Sequence, residues 1–94
     1  MKHKTITKRE VAETIAEKTG LTQVSVKKAI NAFLEEIRRL FREGKWLELR
    51  GFGTFYPFRR KGRAFKVPRT NEMIKTKDAW ILRFRPSKDI SEEK

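Results

Sequence analysis

The sequence contains no cysteine, which excludes a disulfide framework and any thiolate metal site. Histidine occurs once, as His3 in the opening tail, so no imidazole cluster can form and His3 receives no role. No apolar stretch approaches the roughly 20 residues a membrane-crossing helix needs. The opening Met1-Lys2-His3-Lys4-Thr5-Ile6 lacks the hydrophobic run of a signal peptide. A soluble cytoplasmic protein with no membrane partner is therefore expected. Acidic residues are also few, 12 Asp and Glu against 24 Lys and Arg in 94 residues. From Arg50 to Lys88 there are only two, Glu72 and Asp78, at separate places. A catalytic metal site needs clustered carboxylates or histidines. No metal, no cofactor, no small-molecule substrate and no enzymatic activity are expected. A nuclease stands as the rival from a different class, and a magnesium-dependent cleavage assay discriminates.

The surplus positive charge is concentrated. The whole chain carries +12, and the stretch from Arg50 to Lys88 holds twelve Lys and Arg against its two acids, a local +10. A stripe of that kind suits a polyanion, because neutralised phosphates release condensed counterions. The alternatives are a solubilising surface or attraction to an anionic membrane. Aromatic residues interleaved with the cations favour nucleic acid.

A chain of this length sets a prior of one domain, residues 1–94. Thr7 followed by Glu10 is a capping-box pattern, and Val11, Ala12, Ile15 and Ala16 share one helical face. This predicts a first helix from near Lys8 to Thr19, stopped by Gly20. Thr22 can cap a second helix whose apolar residues Val26, Ile30, Phe33, Leu34, Ile37, Leu40 and Phe41 recur at helical spacing up to Gly44. That stripe is longer and wider than the first helix can cover.

After Gly44 the period becomes two. Leu47 and Leu49 share a face, Gly51-Phe52-Gly53 reads as a tight turn, and Thr54 onward should pair back antiparallel. Pro57 predicts an edge or a bulge. In Trp80-Ile81-Leu82-Arg83-Phe84-Arg85, an apolar face of Trp80, Leu82 and Phe84 alternates with a face of Ile81, Arg83 and Arg85. Pro86 ends that strand, and Ser87 can cap a short acidic helix over about 87–93. Between the strands, residues 59–77 read as a hairpin arm projecting some 25 Å, at about 3.3 Å per residue. Such an arm contributes little to a core and should be mobile until it meets a partner. Without it roughly 75 residues remain, near the lower limit for comfortable stability. With the uncovered stripe, this argues for an intertwined dimer.

Four segments resemble the HU and integration host factor family of bacterial DNA-bending proteins. They are Ile15-Ala16-Glu17-Lys18-Thr19-Gly20-Leu21-Thr22, Gly51-Phe52-Gly53-Thr54-Phe55, Gly62-Arg63 with Pro68-Arg69-Thr70-Asn71-Glu72, and Phe84-Arg85-Pro86-Ser87-Lys88-Asp89. Their order and spacing fit residues 6–90. The resemblance implies an α+β fold: two N-terminal helices as a dimerisation base (7–43), a three-stranded antiparallel sheet as a saddle (45–86), the protruding arm (59–77) and a short C-terminal helix. It implies a homodimer, with a heterodimer possible, that binds double-stranded DNA, bends it and organises the bacterial nucleoid. It further implies that Pro68 at the arm tip wedges between base pairs. Here the tip reads Lys66-Val67-Pro68-Arg69-Thr70-Asn71, where the family's usual tip is Arg-Asn-Pro-x-Thr-Gly.

On this basis Arg59, Arg60, Lys61, Arg63, Lys66, Arg69, Lys75 and Lys77 are candidate phosphate or minor-groove contacts, with Asn71 supplying positive φ at the turn. Arg83, Arg85, Ser87 and Lys88 are assigned to the saddle and the last helix's start, where backbone amides can meet a phosphate. Lys8 is a similar candidate, since the helix dipole disfavours a cation in a first turn. Ile30, Phe33, Leu34, Ile37, Leu40, Phe41, Phe52 and Phe55 are assigned to the dimer core. For each cation the alternative is a solvated charge, and for Pro68 a mere turn former. Phe65 can pack under the arm or compete as the wedge. Within nucleic-acid binding, Thr14–Val26 also resembles a helix-turn-helix, and RNA is a further possible ligand.

Overall fold

The structure, a computed structural model, describes residues 4–90; His3 and residues 91–94 lie outside that range. The chain divides into two compact units after Arg38.

The helical unit begins with α1, Lys8–Thr19. Its start is fixed locally: the Thr7 hydroxyl accepts the Glu10 N–H at 3.3 Å. Its end is Gly20, left-handed at φ 77°, whose N–H reaches the Ala16 carbonyl. Helix α2, Gln23–Arg42, starts where the Thr22 hydroxyl accepts the Ser25 N–H at 3.1 Å. The Gly44 and Lys45 amides close its end on Phe41 and Leu40. Ala12, Ala16 and Val26 form a buried cluster with Ile15 and Ile30 packed against it. Small alanines let the two helices approach, but they bury little area. Of the α2 stripe, Val26 and Ile37 are buried whereas Phe33 and Leu34 remain 46% and 38% exposed.

The second unit is built on strands β1 (Leu47–Leu49), β2 (Gly53–Arg60) and β5 (Ala79–Pro86), in the order β1-β2-β5. All pairs are antiparallel, with Leu47 opposite Phe55 and Phe55 opposite Phe84. Pro57 lies beyond the last residue paired with β1, so the strand is an edge there and its missing donor is tolerated. The register places Phe55, Pro57, Leu82, Phe84 and Trp80 on one face, and Thr54, Tyr56, Phe58, Arg83 and Arg85 on the other. The predicted alternation of β5 is thus observed. Its apolar face is nevertheless uncovered within one chain: Trp80 is 61% exposed and Leu82 42%.

At Gly53 the strands approach so closely that a Cβ would lie 2.5 Å from the Arg85 carbonyl oxygen and from the Phe84 ring. Gly53→Ala should therefore cost about 2–3 kcal/mol of stability, read as a lower Tm. An unchanged Tm would show that both neighbours can move aside.

Two short strands, β3 (Ala64–Lys66) and β4 (Met73–Lys75), pair as a separate ladder. The predicted arm is a hairpin with an interrupted ladder: the Thr76 N–H still reaches the Arg63 carbonyl at 2.8 Å, and the regular pairing lapses at residues 61–62 and 77–78. Among the described residues after Pro86 the chain forms a 3-10 turn, Lys88–Ile90, at the start of the helix predicted over 87–93. Ser87 caps it as expected, its hydroxyl accepting the Asp89 N–H at 3.2 Å. Residues 91–93 of that predicted helix lie outside the described range.

Candidate nucleic-acid interface

The polar face of the sheet carries a layered arrangement of rings and guanidinium groups. The Arg83 guanidinium carbon lies 3.6 Å from the Phe58 ring centroid, and that of Arg85 lies 5.5 Å from Tyr56. Trp46 stacks on the far side of the same surface, 4.8 Å from Tyr56. These are diagonal contacts, because in register Arg83 faces Tyr56 and Arg85 faces Thr54. Aromatic faces attract cations without consuming their N–H donors. The two guanidinium groups are thus held against the sheet with donors still available to an anion.

The arm turn is closed by the Val67 N–H on the Glu72 carbonyl at 2.9 Å and the Asn71 N–H on the Val67 carbonyl at 2.8 Å. Asn71 takes φ 61°, the one non-glycine residue with positive φ among the described residues. Asparagine tolerates this conformation, so the turn forms with Asn71 in the position where the family's usual tip has glycine. Pro68 and Arg69 sit exposed at the tip. Phe65 pairs with Ile74 and is 39% exposed, with the Arg63 guanidinium 5.4 Å from its ring.

Every candidate cation is exposed. Arg60, Lys61, Arg63, Lys66, Arg69, Lys75, Lys77, Arg83 and Arg85 have no carboxylate partner among the described residues. Arg59 does: it donates to Asp78 at 2.7 Å. Lys8 donates to the Asn31 side-chain oxygen on α2 at 2.8 Å. Its place at the helix start therefore has an internal reason besides the predicted phosphate. Lys88 lies in the 3-10 turn and Ser87 is half-buried just before it. Of the residues assigned to a dimer core, Ile37 is buried, and Ile30, Leu40, Phe41 and Phe55 are half-buried. Phe33, Leu34 and Phe52 are exposed. Phe52 and Phe55 both meet Phe84, at 5.2 and 4.8 Å between ring centres.

Two carboxyls are held below their ordinary range. For Asp78 the larger cause is the Gly62 N–H, then the Arg59 guanidinium. For Glu43 it is Lys45, then Arg39. Both remain charged at neutral pH. Because the folded pKa values are depressed, these bonds stabilise the fold above the ordinary carboxylate pKa and are lost as pH falls through the folded value.

Sequence reading missed Tyr56, Phe58 and Trp46 as supports of the cationic face. Their signal was present: Tyr56 and Phe58 alternate as Arg83 and Arg85 do, and antiparallel pairing brings such alternations together. Asp78 was passed over because its partners lie 16 and 19 residues away.

The fold and the cationic surface define a class. The chain belongs to the bacterial DNA-binding protein family, whose model matches residues 6–93. It is similar to DNA-binding protein HU of Thermus thermophilus, 33% identical over 90 residues that make up 96% of this chain and 93% of that protein. It is also similar to integration host factor subunit alpha of Pseudoalteromonas atlantica, 34% identical over 85 residues, covering 90% of this chain and 87% of the relative. In three dimensions it resembles Anabaena HU in a cocrystal with DNA, with a TM-score of 0.81 and 30% identity over 89% of this chain and 91% of that one.

Proposed function

We propose that this protein is an architectural DNA-binding protein that grips duplex DNA by its phosphates and minor groove and bends it, doing no chemistry on it. The observation that carries the reading is a set of nine exposed Lys and Arg with no carboxylate partner among the described residues, disposed along an arm and across an aromatic-backed sheet face, in a fold shared with a DNA-bound HU. Ser87 and Lys88 extend that path on the sheet unit, Arg59 joins it once its Asp78 partner releases it, Lys8 is a separate candidate on the helical unit, and Asn71 shapes the tip. The protein acts as a dimer, with two arms. Support comes from how little one chain buries: Ala12, Ala16, Val26 and Ile37 are its buried hydrophobic residues among those described, too small a core for a stable fold. A bacterial nucleoid is the corresponding location, and no helix among the described residues is long and apolar enough to cross a membrane.

Pro68 is the wedge. Its ring is rigid and apolar, and it has no N–H to leave unpaired between bases. Unstacking a base step costs a few kcal/mol, which added phosphate contacts along the bent duplex offset. A duplex labelled at both ends should show rising energy transfer on binding, and Pro68→Ala should reduce that rise with a smaller loss of affinity. An unchanged end-to-end distance in Pro68→Ala would remove the wedge. No bending by the native protein would remove the architectural role.

A further inference from the structure

The two ladders of the sheet unit do not run into each other. Strands β2 and β5 pair as far as Arg60 and Ala79, and β3 and β4 resume at Ala64 and Lys75. One backbone bond, from the Thr76 N–H to the Arg63 carbonyl at 2.8 Å, and several side chains span the gap. On the arm side, the Thr76 hydroxyl accepts the Arg63 N–H at 2.9 Å. On the body side, one Asp78 oxygen accepts the Gly62 N–H at 2.6 Å and the other accepts Arg59 at 2.7 Å. The limbs are pressed together here, because a Cβ on Gly62 would run into the Thr76 carbonyl. Asp78 is thus a single carboxylate tying both limbs at the arm's root. It is also one of only two acids between Arg50 and Lys88, where any negative charge repels phosphates.

We propose that Asp78 is the positioning residue of the arm. Its carboxylate holds the root in one pose through Gly62 and, in doing so, withholds Arg59 from DNA. The second half of this statement rests on the DNA-binding reading above. The first half does not.

Two variants of the full chain separate the halves. Asp78→Asn keeps an oxygen for Gly62 but removes the charge. Its Gly62 amide should stay protected in hydrogen exchange, while duplex affinity rises roughly fivefold at 0.1 M salt as Arg59 is freed to make one more phosphate contact per arm. Asp78→Ala removes both bonds. Its Gly62 amide should exchange about tenfold faster as the root opens locally, and the duplex bend should shrink. Native-like exchange at Gly62 in Asp78→Ala would overturn the positioning role. An Asp78→Asn protein that binds no tighter than the native chain would overturn the withholding of Arg59. Should the native protein bind no duplex at all, the DNA reading fails, and the exchange at Gly62 still decides whether Asp78 holds the arm.

Discussion

Phe33→Asp should eliminate the dimer, leaving a chain that sediments as a monomer and has lost most of its helical signal. Phe33 is 46% exposed on α2, beside Leu34 at 38%, and both lie on the apolar stripe that α1 leaves open. Covering the rest of a phenylalanine ring is worth about 2 kcal/mol per copy. A two-fold interface counts that term twice. Aspartate forfeits it and adds a charge whose desolvation costs several kcal/mol per ion. The sum exceeds what a chain with a core of Ala12, Ala16, Val26 and Ile37 can spare, since native domains hold only about 5–15 kcal/mol in total. Phe33→Leu, which keeps an apolar side chain, should still assemble. A folded, stable Phe33→Asp monomer would refute the intertwined core.

Affinity for duplex DNA should fall about 10³–10⁵-fold between 50 and 200 mM salt, the range for proteins that neutralise six to ten phosphates. The arm and the sheet face offer nine exposed cations with no carboxylate partner among the described residues in each chain, so a dimer has more than enough. A log–log plot of binding constant against salt should be linear. Replacing Arg83 and Arg85 together by alanine should make the slope shallower by about 2 per chain if each meets one phosphate. Phe58→Leu should weaken binding less than Arg83→Ala, because the guanidinium loses its support but not its charge. A flat salt response would dispose of the phosphate contacts altogether.

Much of the fold is written in short-range signals. Thr7 with Glu10 and Thr22 with Ser25 close their caps within three residues, so both helix starts were readable without tertiary knowledge. Gly20 and Asn71 adopt the left-handed conformations their types favour. The pairing of Leu49 with Gly53 across Gly51-Phe52 follows from a tight turn between alternating segments. The break in the arm was not readable, because it depends on Gly62 meeting Thr76 and Asp78 across the hairpin. Nor was the 3-10 turn after Pro86, where the competition between tight and regular helix is decided by a few residues.

By itself, then, the sequence determined where the two α-helices begin, where the paired strands of the sheet fall, which faces are apolar, and that one half of the chain carries a cationic excess. These follow from caps, periodicity and composition, all local or additive properties. Only the tertiary structure decided what the cations touch. Register placed Arg83 over Phe58 and Arg85 near Tyr56, and a shift of one residue would have turned them to the opposite face. It also singled out Arg59, alone among the arm's cations in having a carboxylate partner among the described residues. The physical reason is that contacts between strands depend on pairing distant segments, and no local pattern specifies which side chain arrives opposite which.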